Sequence, residues 1–200
     1  MNDTKEHILK TALILFLQKS YRDVTMNEIV ERTGLSKGAF YHYFDSKETL
    51  FKEIVFSFIS MGEVDYSKFS KTSLKSFFNQ YADYISNSLL SMNQLVQSNN
   101  EKSFSFNFFL ILFEAASRFP DFLEIESSIY QKDLIAWKNI IAIAKDKKEI
   151  SNKSSDEEIA KLFLFCTDGV FLRFVNSDNA MNYKELLLET FNTIFKNMKV

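Results

Sequence analysis

Residues 24–51 read VTMNEIVERTGLSKGAFYHYFDSKETLF, and the fold turns on this stretch. Thr25 and Glu28 have the spacing of a capping box, in which each side chain satisfies the other residue's backbone N–H. Val24 and Ile29 sit where a hydrophobic staple would clamp the same helix start. A helix is therefore predicted from Thr25 to Arg32, closed by Gly34 in the left-handed conformation that a helix end favours. Ser36 then caps a third helix reaching about Tyr43, and Asp45 or Ser46 caps a fourth reaching about Ser60. Upstream, Ile8, Leu9, Ala12, Leu13 and Phe16 follow a helical rhythm from about Thr4 to Lys19. A short helix, a glycine turn and a second short helix, packed on a longer first one, make a helix-turn-helix.

On a helical wheel Phe40 and Phe44 point inward, while Lys37, Gly38, Tyr41 and His42 point outward. An exposed face of glycine, aromatic ring and imidazole does little for solubility. It suits a helix laid in the major groove of double-stranded DNA, its N-terminal end toward the bases. Gly38 brings backbone N–H groups near a phosphate, and a helix N-terminus favours that anion.

At these residues the chain resembles the DNA-binding domain of the TetR family of bacterial regulators. The likeness rests on the Thr that opens the second helix, the Gly-Leu-Ser-Lys-Gly turn, the Phe-Tyr-His-Tyr-Phe run and the Lys-Glu-x-Leu that follows. It implies that Thr25, Ser36, Tyr41, Tyr43 and Lys47 hold phosphates, and that Lys37, Gly38, Ala39 and His42 lie nearest the base edges. It further implies a homodimeric repressor on a palindromic operator, released by a small-molecule effector held among the central helices; a largely apolar, aromatic or long-chain effector is expected. Ser20 departs from the pattern, since the family usually has Gly at the end of the first helix. A left-handed cap there would cost about 1 kcal/mol more with Ser.

Beyond a polar stretch at 61–73, helices are predicted at about 74–97, 103–118, 121–145, 156–176 and 182–198, with Pro120 marking a break. The reading is all-α, with roughly nine helices and no strands. It divides into a DNA-binding domain at 1–60 and a ligand-binding and dimerisation domain at 61–200. Phenylalanine is abundant, at 22 residues, and effector sites are mostly aromatic and apolar. Phe77, Tyr81 and Tyr84 share one helical face and Phe109 and Phe113 another, and with Trp137 and Glu114 they are the effector-site candidates. Glu114 is placed to pair with Arg118 one turn later; facing a cavity instead, it would favour a cation, and Asp83 has the same two options.

The last two predicted helices are apolar over much of their circumference, and a helix apolar on every side must be covered on every side. A second copy can supply that cover, through Ile159, Leu162, Phe163, Cys166, Gly169, Val170, Phe191 and Phe195. Gly169 inside a helix costs about 1 kcal/mol relative to Ala, which suggests a close helix approach, either to a partner or to an intrachain Phe.

The bulk numbers are compatible with this. The formal net charge of −2 excludes a chain basic throughout, but a phosphate-contacting surface needs only a local cluster of donors. Cys166 is the one cysteine, which suits a reducing cytoplasm. No targeting segment is visible, and the longest apolar runs, 12–17 and 108–113, are far too short to span a bilayer. A cytoplasmic protein without membrane contact is expected. His7 and His42 have no Cys, Ser or carboxylate at a catalytic or metal-binding spacing, and no phosphate loop is present, so neither enzyme activity nor a metal or cofactor is expected. The rival readings are a regulator that senses a protein, and an all-α enzyme or lipid carrier with the N-terminal helices as scaffold.

Overall fold

The computed structural model describes residues 3–61, 63–97, 107–175 and 182–200. Among them are nine α-helices and a short 3-10 helix, with no strand beyond an isolated bridge between Ile150 and Lys199. The helices are α1 (Asp3–Gln18), α2 (Met26–Thr33), α3 (Lys37–Tyr41), α4 (Lys47–Met61), α5 (Leu74–Gln97), α6 (Asn107–Arg118), α7 (Pro120–Asp146), α8 (Asp156–Val175) and α9 (Tyr183–Met198). The 3-10 turn, Tyr66–Lys68, lies within the polar stretch before α5. The expected helix beginning at 103 is described only from Asn107, and residues 103–106 lie outside the described part. Pro120 opens α7, where its missing N–H costs nothing.

Two compact units are formed, one from residues 1–62 and 91–125, the other from 63–90 and 126–200. In the first, α1 packs on α2, α4 and α6, and α6 also packs on α4. Ile8, Ala12, Leu15 and Phe16 of α1 are buried there with Val24, Ile29, Phe40, Phe44, Leu50 and Phe51. Phe16 meets Phe51 edge-on at 5.0 Å, and Phe119 joins them at 6.1 Å from Phe51.

The second unit is built round Trp137, which is fully buried. Phe163 stacks on its indole at 4.7 Å, while Phe77 and Tyr81 meet it edge-on, each at 5.1 Å. Phe78 and Phe191 complete the ring cluster, and α8 packs along α9. The polar turn after α7 is fixed by hydrogen bonds together with Ile150, which is buried in the core. The Glu149 carboxylate accepts from Leu74 N at 3.1 Å, and Ser151 N donates to Met198 O at 2.8 Å.

Candidate functional site

The helix-turn-helix is assembled from local signals, each satisfied within a few residues. Thr25 Oγ1 accepts from Glu28 N at 3.2 Å, capping α2. The Glu28 carboxylate, held below its usual range chiefly by the Lys19 ammonium, also accepts from the Thr25 backbone. Val24 and Ile29, the staple pair, are both completely buried. Gly34 closes α2 at φ 69°, its N–H reaching Glu31 O at 3.2 Å. His7 of α1 approaches Thr33 O at 3.0 Å, joining α1 to the end of α2.

Ser36 Oγ accepts from Ala39 N at 3.3 Å and starts α3. That helix is shorter than expected, ending at Tyr41. His42 N turns back to Gly38 O, and Tyr43 N and Phe44 N both reach Phe40 O, tightening the last turn. Phe40 and Phe44 point into the core as expected, anchoring the element from beneath. Lys37, Gly38, Ala39, Tyr41 and His42 are exposed on its outer side, with Ser36 and Thr25 exposed beside them. Tyr43 is half-buried, its ring 5.3 Å from that of His42. Space around Gly38 is open, with nothing within 4 Å of where a Cβ would lie. The hydroxyls of Thr25 and Ser36 act as acceptors toward their helices, so each keeps its hydrogen to donate outward.

Two residues of this region behave in ways not visible in the sequence. Ser20 does not adopt a left-handed cap; among the described non-glycine residues only Lys148 has positive φ. Ser20 instead organises a turn. Its hydroxyl donates to Asp23 Oδ2 at 2.6 Å, and its carbonyl accepts from Asp23 N and Val24 N. A Gly is not needed because the loop closes through these bonds in ordinary backbone regions.

Lys47 is the second. Its ammonium donates to Tyr21 O at 2.8 Å and to Val24 O at 2.6 Å, and lies 4.5 Å from the centre of the Tyr21 ring. Arg118 lies 4.1 Å from the same ring. Burial first, then the Arg118 charge, lowers the Lys47 pKa. Lys47 thus ties α4 to the loop carrying Thr25, and with two of its three donors used, one remains for a phosphate. Lys47→Ala is expected to cost about 1–2 kcal/mol by leaving two part-buried carbonyls short of a donor. Urea denaturation measures it; an unchanged midpoint would mean that the loop holds itself.

The effector-site candidates fall into both units. Phe77, Tyr81 and Trp137 are buried among other rings in the second unit, and Tyr84, half-buried, donates to Glu63 O at 2.8 Å. Phe109, Phe113 and Glu114 belong to the first. Phe109 rests against Phe108, Phe113 is 68% exposed, and Glu114 accepts from Arg118 at 2.7 Å, the expected pair one turn apart. Phe113 and Glu114 border an open pocket of about 250 Å³ with Phe16, Tyr21, Arg22 and Ile111. Asp83 pairs with Lys184.

The candidate dimer residues divide by depth. Ile159, Phe163, Val170 and Phe191 are buried in the chain's own core; Cys166 and Phe195 are half-buried. Leu162 and Gly169 are exposed, in line with Phe165 and Leu172 on the outer face of α8. Nothing lies within 4 Å of a Cβ placed on Gly169, so no intrachain Phe needs the space. Among the described residues no group of three or more His, Cys, Asp or Glu could hold a metal ion. No described helix is long and apolar enough to cross a membrane.

Residues 8–54 match the model of the tetR family of bacterial regulatory proteins, the span just seen to fold as a capped helix-turn-helix. This part of the chain, residues 8–54, is similar to the TetR family of regulators. Over 50 residues it is 50% identical to the uncharacterized HTH-type transcriptional regulator YerO of Bacillus subtilis, covering 25% of this chain and 17% of YerO. Over 47 residues it is 43% identical to the HTH-type transcriptional repressor NemR of Escherichia coli, 24% of each chain. These matches span a quarter or less of either relative. The whole chain shares the fold of the MbdR regulator from Azoarcus sp. CIB, with a TM-score of 0.70 at 20% identity over 98% of this chain and 100% of that one.

Proposed function

We propose that the protein is a ligand-responsive transcriptional repressor that binds a palindromic operator as a homodimer and is released by a small effector. The observation that carries the DNA-binding part is the outer side of α3. Lys37, Gly38, Tyr41 and His42 stand exposed there on an element held rigidly by buried Phe40 and Phe44. A groove-reading element needs that combination, because a bidentate or edge contact to a base tolerates little play. Thr25, Ser36, Tyr41, Tyr43 and Lys47 would take phosphates, and Lys37, Gly38, Ala39 and His42 the base edges.

Repression has support in the likeness of the DNA-binding domain to NemR, a repressor. Dimerisation has support in the apolar outer face of α8, and two-fold protein symmetry is mirrored in operator half-sites. The effector reading places the ligand at the ring cluster of Phe77, Tyr81 and Trp137 in the second unit. An effector releases DNA only by binding the DNA-incompetent arrangement more tightly, with a coupling of typically about 1–3 kcal/mol.

Selection from a random duplex library tests the core of this. A palindromic motif should be enriched, and His42→Ala or Lys37→Ala should alter the preferred bases at about 1–3 kcal/mol per lost base contact. A library that returns no enriched palindrome would sink the proposal.

A further inference from the structure

On α7 the residues Glu126, Tyr130, Asp133 and Trp137 follow one another at spacings of four, three and four, which sets them on one helical face. Along that face the environment passes from exposed Glu126 to fully buried Trp137. Asp133 Oδ1 accepts from the Tyr66 hydroxyl at 2.9 Å. The Tyr66 ring lies parallel to those of Phe77, at 5.8 Å, and Tyr81, at 6.3 Å. The Tyr81 phenol reaches toward Thr167, and it stands within the influence of Asp133, Asp168 and Tyr183.

Two anomalies mark this cluster. The indole Nε1 of Trp137 and the hydroxyl of Tyr183 are buried without a hydrogen-bond partner, in residues 0% and 4% exposed. The Trp137 N–H lies near enough to the Tyr66 hydroxyl to ease its ionisation, yet falls short of a bond to it. Unpartnered groups of this kind are rare in protein interiors. The second anomaly is charge. Asp133 is flanked by Asp168 and Glu63, and the Lys132 ammonium near it is already ion-paired with Glu63. The Asp168 carboxyl, partly desolvated although the residue as a whole is exposed, is pushed up by that desolvation and by the Glu126 charge. Negative charge is thus concentrated beside aromatic rings at one side of the core.

We propose that this cluster binds an organic cation, with its ammonium head against the carboxylates of Asp133 and Asp168 and its carbon groups against the rings of Tyr66, Tyr81 and Trp137. Aromatic faces attract cations through their negative quadrupole, most strongly when both are desolvated. A divalent metal is a poorer occupant, since the walls are rings and no described group of three or more ligating residues could hold one. A neutral apolar ligand would leave two carboxylates without a counter-charge. Half-buried Tyr66 and Asp133 and exposed Asp168 form the side from which a ligand enters.

This site deepens the effector reading and rests on it only for its consequence at the operator, so binding is measured first without DNA. Trp137 is the chain's one tryptophan, and its fluorescence reports on the cluster directly. Benzyltrimethylammonium is titrated against the full-length protein, beside neutral benzyl alcohol and anionic benzoate. The cation should change Trp137 emission saturably, with a dissociation constant at least roughly tenfold lower than either control. Asp133→Asn and Asp168→Asn should each weaken it at least roughly tenfold while leaving benzyl alcohol unaffected. Asp168 lies exposed and Asp133→Asn keeps an oxygen to accept from Tyr66, so both variants stay folded, which circular dichroism checks. Equal response to the three probes, or cation binding unchanged in both variants, overturns the proposal. Cation binding that leaves operator affinity untouched upholds the site and overturns the effector reading alone.

Discussion

Gly169→Glu should yield a folded monomer whose operator affinity is lower by roughly 10²–10⁴-fold, the advantage that a second linked binding module confers. On the outer face of α8, Leu162, Phe165, Gly169 and Leu172 follow one another at spacings of three, four and three, a helical stripe. The three large residues are 50%, 56% and 47% exposed. One face of Phe165 is occupied by Tyr130, stacked at 6.4 Å, and about half of each of the three large side chains stays open to solvent. A contiguous apolar stripe of this kind marks an interaction surface, and a second copy meeting it about a two-fold axis brings the two glycines together. Within one chain the position is open, with nothing within 4 Å of a Cβ. A side chain there disturbs no intrachain contact, and leaving Gly inside a helix gains up to about 1 kcal/mol. Loss of assembly is therefore separable from loss of folding. Light scattering and operator titration, beside a thermal melt, check the three quantities. A dimeric Gly169→Glu variant, or an unmodified protein monomeric at micromolar concentration, would remove α8 as the interface.

The helix-turn-helix was legible in the sequence because its determinants are local. Thr25 with Glu28, Ser36 with Ala39, and Gly34 each act across three residues or fewer, so spacing alone specifies the bond. What spacing cannot specify is which of two chemically adequate partners a side chain takes. Lys47 reads as a cation at a helix start, yet it serves carbonyls 23 and 26 positions away. Ser20 reads as a poor substitute for Gly until its bond to Asp23 supplies a different turn. On α8 the count of apolar residues combined two faces, Ile159, Phe163 and Val170 turned into the core and Leu162 turned out of it. Periodicity finds that such a helix needs cover on several sides; only packing shows which sides the chain covers itself. The rings of Phe77, Tyr81 and Trp137 were legible as a group, while Asp133 among them was not, because a lone carboxylate adds nothing to the aromatic periodicity. The signal was present in its place between Tyr130 and Trp137, three residues after one and four before the other.

Asp133 also makes the stability of the protein depend on pH in a direction opposite to that of most carboxylates. Burial, with Asp168 and Glu63 adding to it, pushes its carboxyl up to about 6 from an ordinary 3.8, against the lowering effects of the Tyr66 hydrogen bond and Lys132. Between those two values the folded state holds a proton that the unfolded state has lost. Stability therefore falls as pH rises from about 4 to 6, and the full cost persists above that. A shift of that size corresponds to roughly 3 kcal/mol, as an order of magnitude. Carboxyls such as Glu157 and Glu158, lowered by Lys161 and by Ser155, contribute the usual opposite trend, so the comparison must be made against a variant. Asp133→Asn keeps an oxygen to accept from Tyr66 and removes the titration. It should equal the unmodified protein near pH 4 and exceed it by up to about 3 kcal/mol at pH 7. Urea denaturation at intervals across that range reads the difference, and parallel curves would show that Asp133 ionises as freely folded as unfolded. A saturating organic cation should narrow the gap at pH 7, since it stabilises only the protein that still carries the charge. A carboxylate that costs the fold at neutral pH breaks a local rule of stability, as sequences do at functional sites, and it is this carboxylate that the proposed cation would neutralise.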